Sequence, residues 1–230
     1  MLRKMTPLFF MAWGFMYGTQ LIEVNGDQTE YDLYQTSPSV LNVKLATGDI
    51  VSFYESTDEG TFTHLSLPGF HISRDIGEPA LPEIHSLIEL PQNAAPRIEI
   101  IVNEYKDYDL HAMGILNPIY PAQPSLSKSQ NPGDIPFAIN ENVYSKSSML
   151  QKNIATVIIE GQLRSMRIAN LVLRPVDYNP AEGILRIYTN LEINIHMDES
   201  DFTKTEKVKQ EYYSPYFETL YHQVTNYKTT

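Results

Sequence analysis

The side chains of this 230-residue chain that could do chemistry are present but scattered. Histidines stand at 64, 71, 85, 111, 196 and 222, none in the H-x-x-x-H spacing that puts two imidazoles on one helix face, and no Cys/His set has zinc spacing. No metal or cofactor is expected from them. Asp107 and Asp109 in EYKDYDL are i, i+2 neighbours, which reads as two solvated carboxylates on a strand or turn rather than an acid–base pair. Serine, histidine and aspartate all occur, yet no G-x-S-x-G elbow does. Cysteine is absent, so thiolate catalysis by this chain is excluded. These residues do not describe an enzyme, and the elements that carry them must be read for another purpose.

Composition bounds the alternatives. Hydrophobic content of 42% over this length suits one main domain with a sizeable core. Seventeen Lys and Arg against 28 Asp and Glu leave a net charge of −11, and no segment gathers the basic cluster that phosphate neutralisation needs. Nucleic acid is not an expected partner. At the N-terminus, Arg3 and Lys4 precede the apolar run TPLFFMAWGFMYG (Thr6 to Gly18), which is too short to span a bilayer and ends in a small residue. Residues 1–18 therefore read as a secretory signal peptide, cleaved near Gly18. No membrane span is expected after its removal. A secreted chain could use disulfides, but this one has no cysteine, so its stability must come from burial.

Period-two alternation dominates the chain beyond Gly18. Ile98, Ile100 and Val102 in RIEIIVNEY, and Leu191, Ile193 and Ile195 in NLEINIHM, alternate with polar neighbours as strands with one wet face do. Further strands are expected at Val40 to Leu45, Ile50 to Glu55, Thr61 to Leu67, Ile84 to Leu90, Ala155 to Gly161 and Arg167 to Val176. DYNPAEG (Asp177 to Gly183) reads as the turn of a hairpin. Many short strands separated by Pro, Gly and Asn clusters predict an all-β fold, an antiparallel β-sandwich of jelly-roll type over residues 19–198. Glu199 to Tyr213 is charged and periodless and reads as a linker. One short helix is expected after it, within 214–230, with Ser214 as cap, Pro215 at its first position and an apolar stripe of Tyr216, Phe217, Leu220, Tyr221 and Val224.

One segment fits no element. Ile119 to Phe137, IYPAQPSLSKSQNPGDIPF, has four prolines in 19 residues, and unstructured connections that long are either disordered or functional.

LPGF (Leu67 to Phe70), IGEPALP (Ile76 to Pro82), LIELP (Leu87 to Pro91), PAQPSLSKSQNPGDIPF (Pro121 to Phe137), GQLRSMRIANLVLRPVDYN (Gly161 to Asn179), LEINI (Leu191 to Ile195) and SPYFETLYHQ (Ser214 to Gln223) follow one another in order. Together they resemble the N-terminal prodomain of gingipains, secreted C25-family cysteine peptidases that cleave after Arg or Lys. The resemblance covers about Thr61 to Tyr227. It implies a β-sandwich that escorts a following peptidase domain through the periplasm and type IX export and keeps it latent. It also implies the mechanism, a basic side chain on a prodomain loop plugging the specificity pocket. The partner would be the C25 peptidase domain, in cis or in trans.

Carried over without gaps, the family's plug position falls on Ser147 and the glycine after it on Ser148. Lys146 is the basic side chain in reach. Pro121, Pro124, Lys128, Pro132 and Pro136 would belong to the supporting loop. The family's activation cut follows an Asn-Arg pair; here Asn226 and Tyr227 precede Lys228, where a trypsin-like cut is expected. The competing expectation is a carbohydrate-binding or adhesive sandwich, suggested by 15 tyrosines, although the only tryptophan, Trp13, lies in the leader.

Overall fold

The computed structural model describes residues 18–130 and 135–227. The leader reading, apart from Gly18, and the readings at Pro132 and Lys228 lie outside the described residues.

The fold is organised around its last strand, β12 (Ile184–Asp198), which pairs along its whole length with β8 (Ala95–Asp109). On its other side β12 meets β11 (Val176–Asn179) and then β3 (Val40–Ala46), and β3 carries β2 (Glu30–Ser37) outside it. Facing this five-stranded sheet is a four-stranded one ordered β6 (His71–Ile72), β7 (Pro82–Leu90), β10 (Met166–Leu173), β9 (Ala155–Leu163). A third sheet, β1 (Gln20–Ile22), β4 (Ile50–Thr57) and β5 (Gly60–Ser66), covers the remaining part. All pairings between these strands are antiparallel, so the sandwich expected from alternation is present, with a third sheet added.

One extra residue lets β12 serve two cores. Tyr188 pairs with Tyr105 and Asn190 with Glu104, which leaves Thr189 unmatched on β8. Because side chains alternate with period two, an unmatched residue exchanges the faces of everything after it. Leu185 and Ile187, before the bulge, pack with Ile22, Ile50 and Leu65 of the three-stranded sheet. Leu191, Ile193 and Ile195, after it, pack with Ile88 and Leu90 of β7 and Leu171 and Leu173 of β10. Each of these aliphatics is essentially sealed from water, and such burial is worth about 1.5 to 3 kcal/mol per side chain.

The C-terminal region departs from expectation. The stretch read as a linker carries an 11-residue helix, α2 (Phe202–Tyr212). Its sequence lacks an apolar stripe because polar contacts hold it. Asp201 accepts the Lys204 amide at 2.8 Å, and the Thr205 hydroxyl accepts the Gln92 amide at 2.8 Å while donating to the Asp201 carbonyl at 2.7 Å. Lys209 pairs with Glu89 at 2.9 Å. After it, the expected single helix is two pieces, a 3-10 turn at Pro215–Phe217 and one turn of α-helix at Glu218–Tyr221. Phe217 sits at φ −100°, ψ 3°, which breaks the continuity, and the Ser214 hydroxyl makes no cap bond. The expected stripe splits accordingly: Tyr221 and Val224 are buried with Met166, whereas Tyr216 stands 95% exposed.

Candidate functional site

Between Ile119 and Lys152 the described residues form no named strand, yet hydrogen bonds at fixed points determine their path. Ile119 is buried and bridges Thr63 of β5, and the Tyr120 amide donates to the Thr63 carbonyl at 2.8 Å. Pro121 bridges Pro79, and both Pro121 and Ala122 are buried. Gln123 then closes the proline-rich excursion, its amide group donating to the Ala138 carbonyl at 2.8 Å and accepting the Ala138 N–H at 2.9 Å. Phe137 returns the chain to Phe62, with ring centroids 5.3 Å apart. Pro124 is half-buried, and Lys128 and Pro136 are exposed.

The loop leads into one helical turn, Glu141–Tyr144, from which an arc projects. Val143 is buried, and the Tyr144 hydroxyl donates to the Ile119 carbonyl at 2.6 Å. Burial pushes the Tyr144 phenol far above its ordinary pKa and that of Tyr178 up to about 12, so both stay protonated. Upstream, the Asn140 amide donates to the Gly77 carbonyl at 2.8 Å. Gly77 has φ +81°, and a Cβ there would lie 3.1 Å from the Asn140 nitrogen, so both conformation and space demand glycine. Gly77→Ala is expected to cost about 1 to 3 kcal/mol in urea unfolding.

The arc is pinned at both ends. The Lys146 carbonyl accepts the Ala181 amide at 3.1 Å, and the Leu150 amide donates to the Tyr178 carbonyl at 3.0 Å. Gln151, at φ +55°, donates its amide to the Asp177 carboxylate at 3.1 Å. Lys152 reaches back to Glu78 at 2.8 Å and to Asp75. Burial opposes its charge, but the two carboxylates hold its pKa above the ordinary value. Lys146, Ser147 and Ser148 between these anchors are exposed. Proline loop, helical turn and arc thus form one connected support, whose anchors Tyr144, Asp177 and Lys152 carry no local signal in the sequence.

Against known families, a model of the C25 peptidase propeptide, Propeptide_C25, matches residues 33–215. The chain belongs to that family. Lys-gingipain HG66 of Porphyromonas gingivalis is 33% identical to this C25 propeptide over 170 residues, covering 74% of the chain and 10% of the relative. Gingipain R2 of the same organism is 27% identical over 135 residues, 59% of the chain and 17% of the relative. The chain therefore spans about a tenth of the length of the Lys-gingipain it matches. Among solved structures, one described as bearing on the zymogenic latency of gingipain K superposes with a TM-score of 0.72 at 26% identity, over 78% of this chain and 98% of that one. A complex of P. gingivalis RgpB pro- and mature domains matches in fold, with a TM-score of 0.65 at 21% identity over 84% and 95%.

Four of the propeptide's six histidines sit against carboxylates of the fold itself. His64 pairs with Glu55 at 2.6 Å, His85 with Glu83 at 2.8 Å, His196 with Glu99 at 2.6 Å and His222 with Glu218 at 3.4 Å. Among the described residues no group of three His, Asp or Glu could hold a metal, and no helix is long and apolar enough to cross a membrane. Arg174 reaches buried Glu83 at 3.2 Å, Arg167 donates to the Pro91 and Ala94 carbonyls, and Arg164 lies over the Phe217 ring.

Asp107, one of the two neighbouring carboxylates, forms a two-pronged pair with Arg186, both contacts 2.7 Å. Hydrogen bonding to that guanidinium holds its pKa below the ordinary carboxylate range. A depressed folded pKa contributes stability above the unfolded value near 3.9, lost as pH falls through the folded one. Asp107→Asn should therefore lower the melting temperature at pH 7, with the difference closing below about pH 4. Because the carboxylate is 40% exposed, the effect at pH 7 should not exceed about 1 kcal/mol.

Proposed function

We propose that this domain is the secreted prodomain of a gingipain-like C25 cysteine endopeptidase precursor, a folding escort that also keeps the peptidase latent. It acts by docking the arc Lys146–Ser148 in the active-site cleft. The leader-like Met1 to Gly18 supports export to the periplasm and, with the family resemblance, onward passage by type IX secretion to the surface or medium. Activation would follow a cut at Lys228.

The observation that carries this reading is the arc itself, an exposed Lys-Ser-Ser turn held at Lys146 and Leu150 by backbone bonds to Ala181 and Tyr178. A segment already fixed in place loses little entropy on docking, and an ammonium meeting a pocket carboxylate forms a charge-assisted hydrogen bond in a desolvated site. Proline residues ahead of the arc restrict the unfolded chain and so favour the folded loop that supports it. Titrating Thr19 to Thr230 against Lys- and Arg-specific C25 peptidases tests the reading. Absence of inhibition of either enzyme by this protein and by its Ser147→Lys variant would refute it.

A further inference from the structure

The last described residues do not trail from the domain; they are clipped to it. β6 covers only Pro82 and Glu83 of the outer edge of β7, and further along that edge the tail takes its place. The Thr225 amide donates to the Leu87 carbonyl at 2.8 Å. The Asn226 side chain accepts the Glu89 amide at 2.7 Å and donates to the Glu89 carbonyl at 3.0 Å, so one side chain satisfies both backbone groups of one strand residue. Tyr221 and Val224, 0% and 2% exposed, seat the segment from beneath, and the Tyr227 hydroxyl donates to Glu218 at 3.0 Å.

We infer that this clip is a latch on activation, with Asn226 as the positioning residue that sets how readily the bond after Lys228 is hydrolysed. The inference rests on the zymogen reading above. Peptidases bind the residues preceding the scissile bond as an extended strand, pairing with their backbone groups. For a cut after Lys228 those residues are Thr225, Asn226 and Tyr227, the same ones the domain holds. Protease and β7 compete for one segment, so cleavage draws on the fraction of molecules whose tail has lifted. Hydrolysis then consumes one water, leaving a carboxylate on Lys228 and an amine on Thr229. Asparagine suits the latch because its amide is donor and acceptor at once; aspartate keeps only the acceptor and faces the Glu89 carbonyl with a like partial charge.

The test uses the full chain and a low dose of trypsin, following loss of Thr229–Thr230 by intact mass. Asn226→Ala and Asn226→Asp should each speed that cut about tenfold, an opening free energy lower by about 1.4 kcal/mol. Amide exchange at Thr225 and Glu89 should accelerate by a similar factor while Ala169 and Leu171 of β10 keep their protection. Equal cleavage rates in parent and variants would overturn the latch. So would loss of protection spread across β10, which marks a merely structural role. No C25 peptidase enters this assay, so a failure of the arc to inhibit leaves its outcome readable, and the reverse holds for the titration.

Discussion

Lys146→Ala is expected to weaken inhibition of a Lys-specific C25 peptidase at least about thirtyfold. Truncating one partner of a buried, hydrogen-bonded charge pair costs about 2 to 5 kcal/mol, most of it from the charge left unpaired in the pocket. The variant should fold normally, because Lys146 is exposed and its anchoring contacts run through its backbone. Unchanged melting temperature with a raised inhibition constant is therefore the signature. Ser147→Lys separates two placements of the basic head. If the pocket is reached from position 147, that variant inhibits more tightly than the parent; if Lys146 already fills it, a second ammonium adds nothing or repels. Inhibition unaffected by Lys146→Ala would move the contact away from the arc.

Deleting Asn194 should prevent the domain from folding, whereas deleting Thr189 should leave it folded. Asn194 is matched on both sides, to Asn42 of β3 and Glu99 of β8, so without it either Leu191 and Ile193 or Ile195 and Met197 must turn to the wrong face of the sheet. Exposing two sealed side chains forfeits about 1.5 to 3 kcal/mol each, against a total stability of about 5 to 15 kcal/mol, and swings polar neighbours toward the core. Thr189 is unmatched, so its removal lets plain alternation keep Ile187 and Leu191 on the faces they already occupy. That variant loses a 3.3 Å hydroxyl bond to the Glu104 carbonyl and the bonds the Thr189 carbonyl accepts from Thr47 and Asn25. Circular dichroism with thermal melting distinguishes the two, and a cooperative transition in the Asn194 deletion variant would contradict the face assignment along β12.

The bulge illustrates what a single sequence conceals. Leu191, Ile193 and Ile195 announce a strand by alternation, and so do Ile98 and Ile100, but nothing in IYTNL marks Thr189 as unmatched, since threonine is at home in any strand. β2 is hard to see for a different reason. EYDLYQTS offers little apolar alternation because it lies at the margin of its sheet, with only Tyr31 and Leu33 packed against the core. α2 reads as a linker because its fixing groups are polar and the partners of Thr205 and Lys209 lie more than a hundred residues earlier at Gln92 and Glu89. The same distance hides the supports of the arc. Its position follows from motif order, whereas Tyr144 bonding Ile119 and Leu150 bonding Tyr178 are contacts that no local period encodes.

The placement of β12 carries a kinetic consequence. The strand at the centre of the five-stranded sheet is the last to be synthesised, and its partners β3 and β8 lie about 150 and 90 residues earlier in the chain. Until β12 has been made, neither core can close. Non-local pairing of this kind is slow, on the scale of about milliseconds to seconds. A growing chain thus stays open until nearly the whole domain exists, so its two cores form together and late rather than one after the other.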